Sequence, residues 1–166
     1  MTPEKIQELR RLARRVGADL RIVPPGQGDD LTGQGVDVSP REINGVLSPP
    51  AYFNAAERLV TLEYDPDTMS PVAAEVTAMH EIGHAATLPK GGVALDLFEQ
   101  MMWALGDTPR PIQEYEIRAW EWAAPRLRPE LHAQARVQIP WALGTYDVGW
   151  KETAERVLTQ LGVFVR

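Results

Sequence analysis

Two helix signals frame the stretch that most constrains this chain. Ser70-Pro71 supplies an N-cap and a proline at the first helical position, and Pro89, Gly91 and Gly92 supply the stop. The residues between read as one helix from Ser70-Pro71 to about Leu88. Midway along it stands His80-Glu81-Ile82-Gly83-His84. Residues four apart share a helical face, one turn from each other, so both imidazoles can reach one metal ion. Glu81 is rotated by one residue. It can stand beside that ion without binding it, and there it can take a proton from a water that the ion activates. Gly83 costs the helix about 1 kcal/mol relative to alanine, which implies close approach by another backbone or a ligand at that point.

A zinc ion held by two histidines needs a third protein ligand, with the fourth position left for water. The chain has no cysteine. A third histidine six residues after the motif, with a glycine between, is another known arrangement, but those positions hold Lys90 and Thr87. The remaining candidates are a carboxylate on a later helix and the third histidine, His132. The helix that begins near Thr108-Pro109 and runs to about Ala124 carries Glu114 and Glu116. These two point to opposite sides, about 200° apart. Glu114 shares its face with Ile117, Arg118 and Glu121 and can pair with Arg118 at i,i+4. Glu116 shares its face with Ala119, Trp120 and Ala123. A carboxylate on such an apolar stripe is costly unless something compensates it, and a zinc ion would. Glu116 is therefore the preferred third ligand, with Glu114 and His132 as alternatives. A two-histidine, one-glutamate site also accepts manganese or iron.

The rest of the chain fits around that pair of helices. Thr2-Pro3 starts a helix, Ile6, Leu9, Ala13 and Val16 recur at helical spacing, and Gly17 ends it. Asp19 to Val23 reads as a short strand. Between Pro24 and Pro50, prolines at 24, 25, 40, 49 and 50 mix with glycines at 26, 28, 33, 35 and 45, which predicts a long irregular loop. Two strands come next, around Tyr52-Phe53-Asn54 and over Arg58 to Tyr64, the second with half-exposed alternation and a free edge beside the metal. Further helices are predicted from about Ala94 to Leu105, near Pro129 to Val137, and from about Gly149 to Leu161. The tryptophans read as core. The fold class expected is α+β: a short sheet, then a helical layer carrying the site, in one domain over residues 1–166.

The composition sets limits. A chain of 166 residues can bury a core without a structural metal, so a metal site here is functional and not a folding staple. Without cysteine there is neither a disulfide framework nor a cysteine zinc site. The formal net charge of −6 argues against a nucleic-acid partner, and the cluster Arg10, Arg11, Arg14 and Arg15 reads as a solvated helix face. No stretch approaches the ~20 apolar residues of a membrane span, and the N-terminus lacks a signal core, so a cytoplasmic protein is expected.

Over residues 52 to 124 the chain resembles the ImmA/IrrE family of small zinc metallopeptidases. The likeness rests on a strand pair before the helix, on His80-Glu81-Ile82-Gly83-His84, and on Glu116-Ile117-Arg118-Ala119-Trp120-Glu121-Trp122-Ala123. Trp122 stands where the family usually has phenylalanine, and Trp120 where a small polar residue is common. The resemblance implies a minimal zincin-like domain, Zn2+ as cofactor and Glu116 as third ligand.

Chemistry and resemblance imply one scheme. Glu81 is the general base of peptide-bond hydrolysis and passes its proton to the leaving amine, while zinc polarises the carbonyl. A second donor stabilises the oxyanion, with His132, Tyr115, Tyr146 and Arg118 as candidates. The partner is a protein or peptide substrate, and a narrow one such as a regulator, because an unregulated cytoplasmic protease would be toxic. The competing readings are a non-catalytic zincin-scaffold binding protein and a phage-related structural component.

Overall fold

The structure, a computed structural model, describes residues 1–28, 41–43, 45–88, 110–144 and 150–163. Its elements in chain order are α1 (Pro3–Arg15), β1 (Asp19–Val23), β2 (Arg41–Ile43), β3 (Val46–Ser48), β4 (Ala51–Asn54), β5 (Leu59–Glu63), α2 (Pro71–Thr87), α3 (Arg110–Ala123), α4 (His132–Gly144) and α5 (Trp150–Leu158), with 3-10 turns at Ala124–Arg126 and Pro129–Leu131. This is a mixed α+β architecture. The helix expected over Ala94 to Leu105 lies outside the described residues. None of the described helices is long and apolar enough to cross a membrane.

Local signals act as expected. The Lys5 N–H donates to Thr2 Oγ1 at 3.3 Å and the Ala73 N–H to Ser70 Oγ at 3.2 Å, so both helices start on side-chain caps, each with proline directly after. Long-range pairing changes the picture of the sheet. β5 lies between β1, which it pairs in parallel, and β4, which it pairs antiparallel. Val60, Thr61, Leu62 and Glu63 are all buried. The expected half-exposed edge is thus a central strand, covered on both faces, and β4 and β1 form the edges. The breaker-rich stretch also holds a small antiparallel hairpin, β2 with β3, turning at Gly45 with φ of 75°. The helix expected to end near Val137 continues to Gly144 through Pro140. Proline there gives up one backbone hydrogen bond, and the buried Gln138, Ile139 and Leu143 hold the helix against the core in compensation.

α2 is the hub. Twelve of its residues are buried, from Ala73 to Ala85 with Thr77 excepted. Its Val76, Met79 and Ile82 share one core with Val60 and Leu62 of β5, Leu9 and Ala13 of α1, Trp120 and Ala123 of α3, and Ile139 of α4. Each large apolar side chain buried there contributes about 1.5–3 kcal/mol. Polar bridges tie the helix down as well. Arg128 Nη2 donates to both carboxylate oxygens of the buried Glu75 at 2.8 Å. Gln138 Nε2 donates to Thr77 Oγ1 at 2.6 Å and to Ser48 Oγ at 3.0 Å, joining α4, α2 and β3.

Candidate metal centre

The C-terminal half of α2 presents His80, Glu81 and His84, all buried. Two devices fix this half-helix. The first is Arg58, in the turn before β5, whose backbone is left-handed with φ of 54°. Its guanidinium donates to the carbonyls of Ala85 (2.6 Å) and Leu88 (3.3 Å) at the end of α2, and of Val16 (3.0 Å) and Gly17 (3.1 Å) after α1. A cation at the carbonyl end of a helix satisfies unpaired acceptors and meets the negative end of the helix dipole. The second device is Gly83. A Cβ built there would stand 3.1 Å from the Cα of Ala119 and closer still to its carbonyl oxygen. α3 thus packs backbone against backbone on α2, the close approach that a glycine inside a helix implied.

That contact delivers Glu116, one turn before Ala119 on the same face. Glu116 Oε2 lies 3.0 Å from His80 Nε2 and its Oε1 lies 3.3 Å from His84 Nε2. The two Nε2 atoms are 3.0 Å apart. One donor atom each of His80, Glu81 and His84 lie within 4.8 Å of one another. Three tetrahedral ligand atoms placed 2.0–2.1 Å from one zinc stand about 3.3 Å apart, close to the spacing seen. The donor chemistry fits as well. Both Nδ1 atoms are buried without a partner among the described residues, and both Nε2 atoms turn with the carboxylate onto one point. Imidazole Nε2 atoms and a carboxylate oxygen can all act as acceptors, and a cation between them would satisfy all three. The residues present fit a divalent metal.

The electrostatics divide the two carboxylates. Burial pushes Glu81 up to about 8, a push that the neighbouring His80 opposes and Glu116 reinforces. For Glu116 burial acts upward too, but His84 and His80 beside it, by charge and hydrogen bond, hold its carboxyl well below the usual range. In the metal-free site, burial favours the protonated form of Glu81, while the histidines favour the anionic form of Glu116.

The other candidates sort cleanly. Glu114 is exposed and pairs with Arg118 at 3.5 Å, as its helical face predicted. Arg118 is itself exposed, on that same surface. His132 starts α4, its Nε2 2.9 Å from the Leu127 carbonyl oxygen and its ring against Gly162, and it makes no described contact with His80 or His84. Tyr146 lies outside the described residues. Tyr115 reaches the centre: its ring stacks on His84 at 4.0 Å, and burial, with Glu81 and Glu116 adding, raises its hydroxyl. Two residues of the site gave no functional signal in the sequence. Arg58 carries nothing that marks a left-handed, non-glycine position, and Trp120 reads as plain core, although its ring lies on His80. No family model, no curated protein and no solved structure matches the chain.

Proposed function

We propose that this chain is a zinc-dependent metallopeptidase of minimal zincin-like build, hydrolysing peptide bonds of a protein or peptide substrate in the cytoplasm. The observation that carries this reading is the convergence of His80 Nε2, His84 Nε2 and the Glu116 carboxylate within 3.0–3.3 Å of each other, with Glu81 alongside. His80, His84 and Glu116 would hold the metal. Bound there, zinc would make water more acidic and a carbonyl carbon more open to attack.

The chain's own residues supply the rest. Glu81, buried beside the histidines, takes the proton of the attacking water on its carboxylate and hands it to the departing amine nitrogen. A base whose affinity for a proton is raised by burial suits both halves of that transfer. Tyr115, kept protonated by its surroundings, donates its hydroxyl hydrogen to the oxyanion that forms as the carbonyl is attacked. The fixed geometry of α2 and α3 places these groups before substrate arrives, so little is lost in reorganisation.

The test pairs metal analysis with a base variant. Purified protein should carry about one zinc per chain. Glu81→Gln should keep that zinc and lose peptide hydrolysis by several orders of magnitude. Full biological activity in Glu81→Gln would sink the peptidase reading and leave a binding role for the scaffold.

A further inference from the structure

Metal-binding histidines are usually held by their second ring nitrogen, which donates to a carboxylate, a carbonyl or water. Among the described residues, His80 and His84 have no such hold. Both Nδ1 atoms are buried with no hydrogen-bond partner among the described residues. No polar contact there stops either ring from turning about its Cβ–Cγ bond. Beyond the contacts at Nε2, what confines them is aromatic. The indole of Trp120 lies on His80, centroids 4.1 Å apart and planes 24° from parallel. The phenol ring of Tyr115 lies on His84, 4.0 Å apart and 29° from parallel. The two imidazoles meet edge to face, 4.4 Å apart at 73°.

We infer that Trp120 and Tyr115 are positioning residues whose ring faces hold the two imidazole planes, in place of hydrogen bonds to Nδ1. This rests on the metal reading above. Both rings come from α3 and flank Glu116, one residue before it and four after. α3 therefore delivers the third ligand and both clamps as one rigid unit. Trp120 is 2% exposed, and its own Nε1 is buried without a partner among the described residues. An indole placed for its N–H would not leave it unmet; this one is used for its face. The face also has a preference. An imidazole that gives electron density to a cation becomes electron-poor, and an electron-rich ring attracts it more strongly in that state. The clamps thus raise metal affinity as well as fixing orientation.

Zinc affinity is measured by competition with a chromophoric chelator, alongside the visible spectrum of the Co2+-loaded protein and circular dichroism of the metal-free form. Trp120→Leu and Tyr115→Leu keep apolar bulk and remove the face. Each should weaken zinc binding about 10- to 100-fold, the usual size of effects from residues that support metal ligands, and alter the Co2+ spectrum. Trp120→Phe and Tyr115→Phe keep a face and should stay within about threefold of wild type. Folded leucine variants that bind zinc as tightly as wild type, with an unchanged Co2+ spectrum, would overturn the inference. Should Trp120→Leu fail to fold, the Tyr115 pair decides alone. Wild-type protein that binds no metal overturns the metallopeptidase reading and the clamp together. Wild-type binding with unaffected leucine variants overturns only the clamp.

Discussion

Gly83 of α2 faces the backbone of Ala119 on α3 with no room for a single added carbon. Two opposing terms decide what Gly83→Ala does. Alanine gains the helix about 1 kcal/mol. Overpacking against a neighbouring backbone, which cannot swing aside as a side chain can, loses about 1–3 kcal/mol. The clash wins, and the helices part. Net destabilisation of up to about 2 kcal/mol is expected in urea unfolding, together with reduced zinc content, because Glu116 and both ring clamps move with Ala119. Wild-type stability and full zinc in this variant would show that the interhelical distance does not set the site.

The two glutamates of α3 should behave as opposites. Glu116→Ala should abolish stoichiometric zinc, as should His84→Ala. Glu114→Ala loses only an exposed pair with Arg118 at 3.5 Å. It should leave the zinc in place and shift stability by no more than about 0.5 kcal/mol. Elemental analysis of the three purified variants separates these outcomes in one experiment.

The metal-free protein should have a distinctive pH profile. Burial raises the Glu81 carboxyl to about 8 from its ordinary 4.5, so between those values the folded chain keeps a proton that the unfolded chain releases. Stability from this source is fully present below pH 4.5 and lost as pH rises through 8. The effect is on the order of a few kcal/mol. Glu116 acts the other way. Its carboxyl is depressed, so its contribution is present above the ordinary value of 4.5 and lost on further acidification. Glu81→Gln should flatten the neutral limb and keep the acid limb. Thermal melts of chelator-treated protein from pH 3 to 9 would show it, and an unchanged neutral slope in Glu81→Gln would refute the assignment.

Arg58→Ala removes the donor to four carbonyls at once. About 3 kcal/mol of stability should go with it, since hydrogen bonds from charged groups contribute about 1.5–3 kcal/mol each and do not add fully. Arg58→Lys should recover little, because an ammonium cannot span the acceptors that the planar fork reaches. Denaturant midpoints of the pair make the comparison, and full rescue by lysine would show that charge alone suffices.

The site was legible where spacing along one helix decides geometry. The i,i+4 histidines and the glycine between them need no partner to be interpreted, and Glu116 stood out because a carboxylate on the stripe of Ala119, Trp120 and Ala123 demands compensation. The fold was less legible where distant segments meet. The alternation of Leu59 to Glu63 predicted a half-exposed edge, yet β1, some forty residues earlier, covers that edge by parallel pairing. The β2–β3 hairpin did carry a signal, Asn44-Gly45 between Ile43 and Val46, that the surrounding prolines obscured. Arg58 shows the limit: its role comes from acceptors 27 to 42 positions away, and no local pattern encodes it.

Arg58 also makes the centre conditional. Its guanidinium closes only when the end of α1, the turn before β5 and the end of α2 are all in place. A chain cut between α1 and β5 would keep the sequence of α2 but lose the clasp that ties the end of that helix to the end of α1.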